Sequence, residues 1–253
     1  MATLYDVTSR SGERGRLVGP LGFWHAAALE QVPMATMLDD PDTAARALGA
    51  AARLYDLDLV VAAPVDTVAW AVRAAIMPGA RLSAIAAAHW AGTPLPGLPG
   101  TDEITDSVAT DHLAAVVTRL RSLHGARLLV AVAVPTGATL ASSLGPEVSP
   151  EWAEDAVGAV LRPVGATEPD AVVRIGEGER SDVVHGLCAY FDIALVEALS
   201  EGTGEVSAPT GEAFVDGPSA RGRLVVTRTE IPAEADPKAV NRAVQDLRTM
   251  GER

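Results

Sequence analysis

The chain has 253 residues, 48% of them hydrophobic, and a formal net charge of −13 from 20 Lys and Arg against 33 Asp and Glu. Such an acid excess repels a phosphate backbone and argues against nucleic acid as a partner. The single cysteine, Cys188, rules out an internal disulfide and an all-cysteine metal cage. No run approaches the ~20 apolar residues of a membrane-spanning helix. Met1 to Gly15 is polar and lacks the apolar stretch of a secretory signal, so a cytoplasmic protein held together by packing is expected.

Leu17 to Leu21 reads as a first buried strand that feeds a loop at Trp24-His25. Asp40-Pro41-Asp42 then opens a helix with an Asp cap, Pro in the first turn and an acid favoured by the helix dipole. The helix runs to Tyr55, with Ala44, Leu48, Ala51, Ala52 and Tyr55 on one face. Leu57 to Ala63, closed by Pro64, suits a central parallel strand buried on both faces. Arg81 to Ala88 fits a strand or a helix, and Gly92 to Gly100, with three prolines, reads as an exposed connection. Ser107 to His124 is a helix stopped by Gly125, with Leu113, Val116, Val117, Leu120 and Leu123 on one face.

Arg127 to Val134 is the clearest strand, a continuous aliphatic run ended by Pro135 and followed by a loop of small residues. Ser149-Pro150-Glu151 opens the next helix, and Ala171 to Ile175 is the strand after it. Ser181 to Phe191 is helical and Ile193 to Val196 extended, with weaker strands near Val206 and Phe214. Leu224 to Thr227 is the last strand, and Asp236-Pro237 caps a final helix. Strands alternating with helices along the whole chain predict one α/β domain over residues 1–253, a (β/α)8 TIM-type barrel or an irregular or truncated version of it. No G-x-G-x-x-G follows the first strand and no G-x-x-x-x-G-K occurs, which removes the main signatures of a nucleotide-binding fold.

Three segments resemble the superfamily of uroporphyrinogen decarboxylase and cobalamin-independent methionine synthase. The first is Asp40-Pro41 through Tyr55-Asp56-Leu57-Asp58 to Asp66, the second Val134-Pro135-Thr136-Gly137-Ala138-Thr139-Leu140-Ala141, and the third Glu230-Ile231-Pro232 with Asp236-Pro237. The resemblance implies a barrel with its working face at the strand ends, and it places Asp66 at the family's functional aspartate. The chain also departs from the pattern. Gly19 to Ala28 has no arginine to bind substrate carboxylates, which argues against a porphyrinogen. Where the methyltransferase branch holds zinc with His-x-Cys and a later Cys, this chain has Arg174, Gly176 and about Thr229, and a guanidinium cannot be a zinc ligand. No metal or other cofactor is therefore expected, and zinc returns only if this reading of the ligands is wrong. His185 and Cys188 lie mid-helix, where Cys188 reads as a core residue.

Polar groups just after strands are the candidates for chemistry in such a barrel. His25 and Asp66 are the candidate catalytic residues, weighed against a packed or capping His and against an Asp that caps the helix beginning Thr67-Val68. Arg174 is a candidate anion-binding fork, or else an ion pair with Glu177 or Glu179. Trp24, His89, Glu177 and Glu230 complete the candidate substrate-binding set. For His89-Trp90 a surface-anchored Trp explains the pair as well as a pocket wall does, and most acids at strand ends only solvate a rim.

The function expected is a metal-independent, decarboxylase-like lyase acting on a small acidic molecule. The alternative is a methyltransferase-related protein or a non-catalytic partner subunit of a corrinoid methyl-transfer system. The expected partners are the small acidic substrate and either a second copy of the chain or a corrinoid protein.

Overall fold

The computed structural model describes residues 17–177, 180–199, 206–207, 213–216, 224–227 and 230–249. Its centre is a four-stranded parallel sheet in the order β2 (Leu59–Val61), β3 (Leu129–Pro135), β4 (Ala171–Gly176), β5 (Ala194–Leu199). These are the aliphatic runs of the sequence, and every residue of β2 and β3 is buried, as a parallel strand covered on both faces requires. A second group of strands joins β1 (Leu17–Val18) in parallel to β8 (Leu224–Thr227). It continues antiparallel through β7 (Ala213–Asp216) to β6 (Val206–Ser207). These two antiparallel pairings differ from the eight parallel staves expected from the sequence.

Among the described residues, backbone and side chain of Asp58 join the groups through Val18. The Asp58 N–H donates to Val18 O at 3.3 Å, and the Val18 N–H donates to Asp58 Oδ2 at 3.3 Å. The strands are so close there that a Cβ on Gly19 would lie 2.3 Å from Leu59 Cδ2 and 3.0 Å from Leu59 O, which only glycine avoids. Asp170 repeats the device one step along. Its N–H donates to Val130 O at 2.8 Å, and its Oδ2 accepts from the Val130 N–H at 2.9 Å.

The helices are α1 (Phe23–Leu29), α2 (Met34–Asp39), α3 (Pro41–Leu54), α4 (Thr67–Ala75), α5 (Leu82–Trp90) and α6 (Thr101–Thr105). There follow α7 (Val108–His124), α8 (Gly137–Leu144), α9 (Pro150–Gly165), α10 (Asp182–Phe191) and α11 (Pro237–Thr249). The capping signals of the sequence are realised: Asp40 accepts from Asp42 N, Ser107 from Thr110 N, Ser149 from Trp152 N and Ser181 from Val184 N. Of the strand and helix readings open for residues 81–88, the helix holds, as α5 from Leu82. Two expectations change: the small-residue loop after β3 is the helix α8 capped by Thr136, and the loop after β1 turns at once into α1.

Alternation along the strands divides the core. Val60, Val130, Val132, Val134, Val172 and Leu195 face one continuous apolar cluster with the side chains of α1 to α10. The intervening residues, among them Leu59, Val61, Ala131, Val173 and Val196, form a separate cluster with Leu17, Leu21 and Val65 on the other face. Cys188 is buried in the helix-side cluster, and its burial, with the charge of Glu197, pushes the thiol pKa up to about 12. It is a core residue with no thiolate chemistry near neutrality.

Candidate functional site

Asp66 follows β2 and starts α4. It makes no side-chain cap bond there; its Oδ2 instead accepts from Trp90 Nε1 at 3.3 Å. Trp90 ends α5 and is half-exposed. Its ring meets the edges of two others, Trp24 on α1 at 5.5 Å and Trp70 on α4 at 5.7 Å, while Trp24 and Trp70 lie 6.1 Å apart. Three of the four tryptophans of the chain thus share one corner, beside the ends of β1 and β2.

Asp66, Trp70 and Arg73 stand at positions i, i+4 and i+7 and fall on one face of α4. Arg73, only 3% exposed, reaches across to α5: its Nε donates to His89 Nδ1 at 3.2 Å and its Nη1 to Thr93 O at 2.7 Å. A guanidinium has no lone pair to offer, so His89 Nδ1 is the acceptor and the neutral ring carries its proton on Nε2. Burial lowers the pKa of His89, the charge of Asp66 raises it and that of Arg73 lowers it. The neutral imidazole is therefore set between an acid and a cation. Burial also lowers the Arg73 pKa.

The expected site residues divide. Trp24, Asp66 and His89 come together in this corner. His25 does not join them: it is buried, with Nε2 2.6 Å from Tyr55 Oη and Nδ1 3.2 Å from Pro232 O. Arg174 points into the helix layer with Val172 and is 1% exposed. Its partners are Glu154 of α9, through Nη2, and Glu197 of β5, through Nη1 at 3.2 Å. Among the described residues Arg174 pairs with these two acids and not with Glu177; Glu179, the other expected partner, lies outside the described residues, as does Thr229.

Glu230 places Oε2 2.9 Å from the N–H of Phe23, where a carboxylate favours the start of α1. Glu177 has an exposed side chain, and its backbone N–H donates to Thr139 Oγ1 at 3.2 Å. His185 accepts from Arg180 through Nδ1 at 2.8 Å, and among the described residues no three His, Cys, Asp or Glu converge on a metal position.

Sequence reasoning passed over Arg73 and Trp70 as site residues and weighed Trp90 only as a pocket wall or a surface anchor beside His89. The signal for the first two was the i, i+4, i+7 spacing from Asp66, which becomes visible only once Thr67–Ala75 is known to be a helix. In comparisons with known proteins, no family model, no curated protein and no solved structure matches this chain.

Proposed function

We propose that the chain is a metal-independent, decarboxylase-like lyase on a barrel of the uroporphyrinogen decarboxylase and methionine synthase type, with its reaction centre at Asp66 and His89. Three features support the barrel: the sequential order of β2 to β5, helices α1 to α10 on one face, and β8 returning beside β1. The observation that carries the site is the gathering of Asp66, bonded to Trp90, and a neutral His89, bonded to Arg73, at a half-exposed aromatic corner.

In this reading the substrate loses a carboxylate as carbon dioxide, and the electron pair of the broken carbon–carbon bond stays on the substrate. His89 donates its Nε2–H to the oxygen on which that charge develops, as a neutral imidazole does when a neighbouring cation keeps it unprotonated. Asp66 relays a solvent proton to the carbon.

The test is carbon dioxide release from a panel of small 3-oxo and aromatic carboxylic acids. On an acid that turns over, Asp66→Asn is expected to lower kcat on the order of 10²–10⁴-fold, while His25→Gln keeps kcat and lowers thermal stability. An Asp66→Asn enzyme with unchanged kcat ends this assignment.

A further inference from the structure

Beside the proton-transfer pair, hydrogen-bond donors outnumber acceptors. Arg73 is buried without a carboxylate: among the described residues its only hydrogen bonds run to an imidazole nitrogen and a backbone carbonyl, neither of which carries negative charge. A guanidinium removed from water in this way is normally compensated by an acid, because desolvation of an unpaired charge is strongly unfavourable. Three residues earlier on the same helix face, Trp70 is 1% exposed and its Nε1–H has no acceptor. Across the gap, His89 is held in the tautomer that presents a further N–H. Three donor-bearing side chains with unused N–H groups, one of them cationic, are gathered between α4 and α5, and among the described residues none of them donates to a carboxylate.

We infer that Arg73, Trp70 and His89 form an oxyanion-binding subsite that takes a carboxylate or phosphate group of a small molecule. The inference rests on the proposed site for its location and names the group by which an acidic ligand would be held there. Arg73 provides the charge and a planar pair of donors; Trp70 and His89 provide single donors from either side. The ligand's remaining atoms would then lie toward Asp66 and the exposed ring of Trp90.

Tryptophan emission reads this directly, because only Trp152 lies outside the corner. In a Trp152→Phe protein at constant ionic strength, titration with inorganic phosphate, sulfate and malonate is expected to give a saturable change with at least one of them and none with chloride. Arg73→Gln should weaken the apparent affinity at least tenfold, and Trp70→Phe, which keeps the ring stack and removes the N–H, should weaken it several-fold with the fold intact by circular dichroism. Malonate without phosphate identifies a carboxylate site, and the converse a phosphate site. No saturable change with any of the three, or equal affinity in Trp70→Phe and the parent, overturns the inference. Asp66→Asn separates the two proposals: anion binding retained within twofold, together with unchanged turnover, removes the lyase assignment and leaves the subsite standing.

Discussion

Tyr55 donates its phenolic hydrogen to Nε2 of His25 across 2.6 Å. The direction follows from the other ring nitrogen, because Pro232 O can only accept, so Nδ1 carries the proton and Nε2 is the acceptor. Burial lowers the pKa of His25, against the raising effect of the Pro232 and Ala233 backbone, and burial together with the charge of Asp236 pushes Tyr55 up to about 12. Both groups are neutral at physiological pH and both are fully engaged, which makes the pair a strut joining α1, α3 and the segment at Pro232.

Tyr55→Phe tests the strut. It leaves Nε2 of a buried imidazole without a donor, which costs about 1–3 kcal/mol. For a domain of this size each kcal/mol moves the melting temperature by about 2–4 °C, so a fall of several degrees is expected in a calorimetric scan. An unchanged melting temperature would mean that the hydrogen bond contributes nothing net.

Stability should fall on mild acidification, and His112 is the main reason. It is buried on α7 with Nε2 unpartnered, and burial lowers its pKa to about 4 from an ordinary 6.5, although Asp39 and Asp40 pull it upward. Between those two values the unfolded chain binds the proton and the folded chain does not. Stability therefore declines as pH drops from 6.5 toward 4 and levels off below, by about 3 kcal/mol for this group at 1.36 kcal/mol per unit. His25, His89 and His124 are lowered too and act in the same direction. Urea unfolding at pH 7.5 and 5 should show the loss, and His112→Leu should flatten the slope; an equal slope in the variant would assign the acid sensitivity elsewhere.

Arg174 is predicted to be structural in its measurable effect. Replacing it with Met strands Glu154 and Glu197 together in the helix layer, and breaking a buried pair in this way costs about 3–5 kcal/mol. Adding Glu154→Gln and Glu197→Gln removes the stranded charges and should recover most of the loss. If the triple variant is no more stable than Arg174→Met alone, the ion pairs are not the source of the effect.

These side chains show which features the sequence could disclose. The caps at Asp40, Ser107, Ser149 and Ser181 are local, so the helices they open were legible, as was β3 from its unbroken aliphatic run. Helix α1 was not legible, because the carboxylate at its N-terminus comes from Glu230, 207 residues away. Helix α8 was masked by its small and hydroxyl residues, which read as a connection although Gly137, Leu140, Ala141 and Leu144 form a buried stripe. At the site, position after a strand found Asp66 and Trp24, and His89 was found by its place before the proline-rich connection. Arg174 was placed by the family resemblance, and in a strand buried on both faces nothing in the pattern says which way a lone charged residue points. Arg73 was hidden for the opposite reason: an arginine inside an apolar helix reads as a surface residue until the partner helix is known.

The strand-entry aspartates give a test of how the sheet is joined. Asp58 and Asp170 each follow their partner by 40 residues, and each returns both a backbone N–H and a side-chain acceptor to one residue of the preceding strand, Val18 and Val130 respectively. In each case the carboxylate takes the place of a ladder carbonyl. Alanine at either position orphans the valine N–H and is expected to destabilise by about 1–3 kcal/mol, whereas Asn, which keeps an acceptor oxygen, should lose less. The consequences should differ in kind. Val130 is held by neighbours within the four-stranded sheet, so Asp170→Ala lowers global stability with modest local opening. Val18 depends on Asp58 for its link to β2, so in Asp58→Ala its amide should lose hydrogen-exchange protection well beyond the global loss. Val18 protection that falls only in step with the rest of the sheet would show that β1 is anchored through β8 alone.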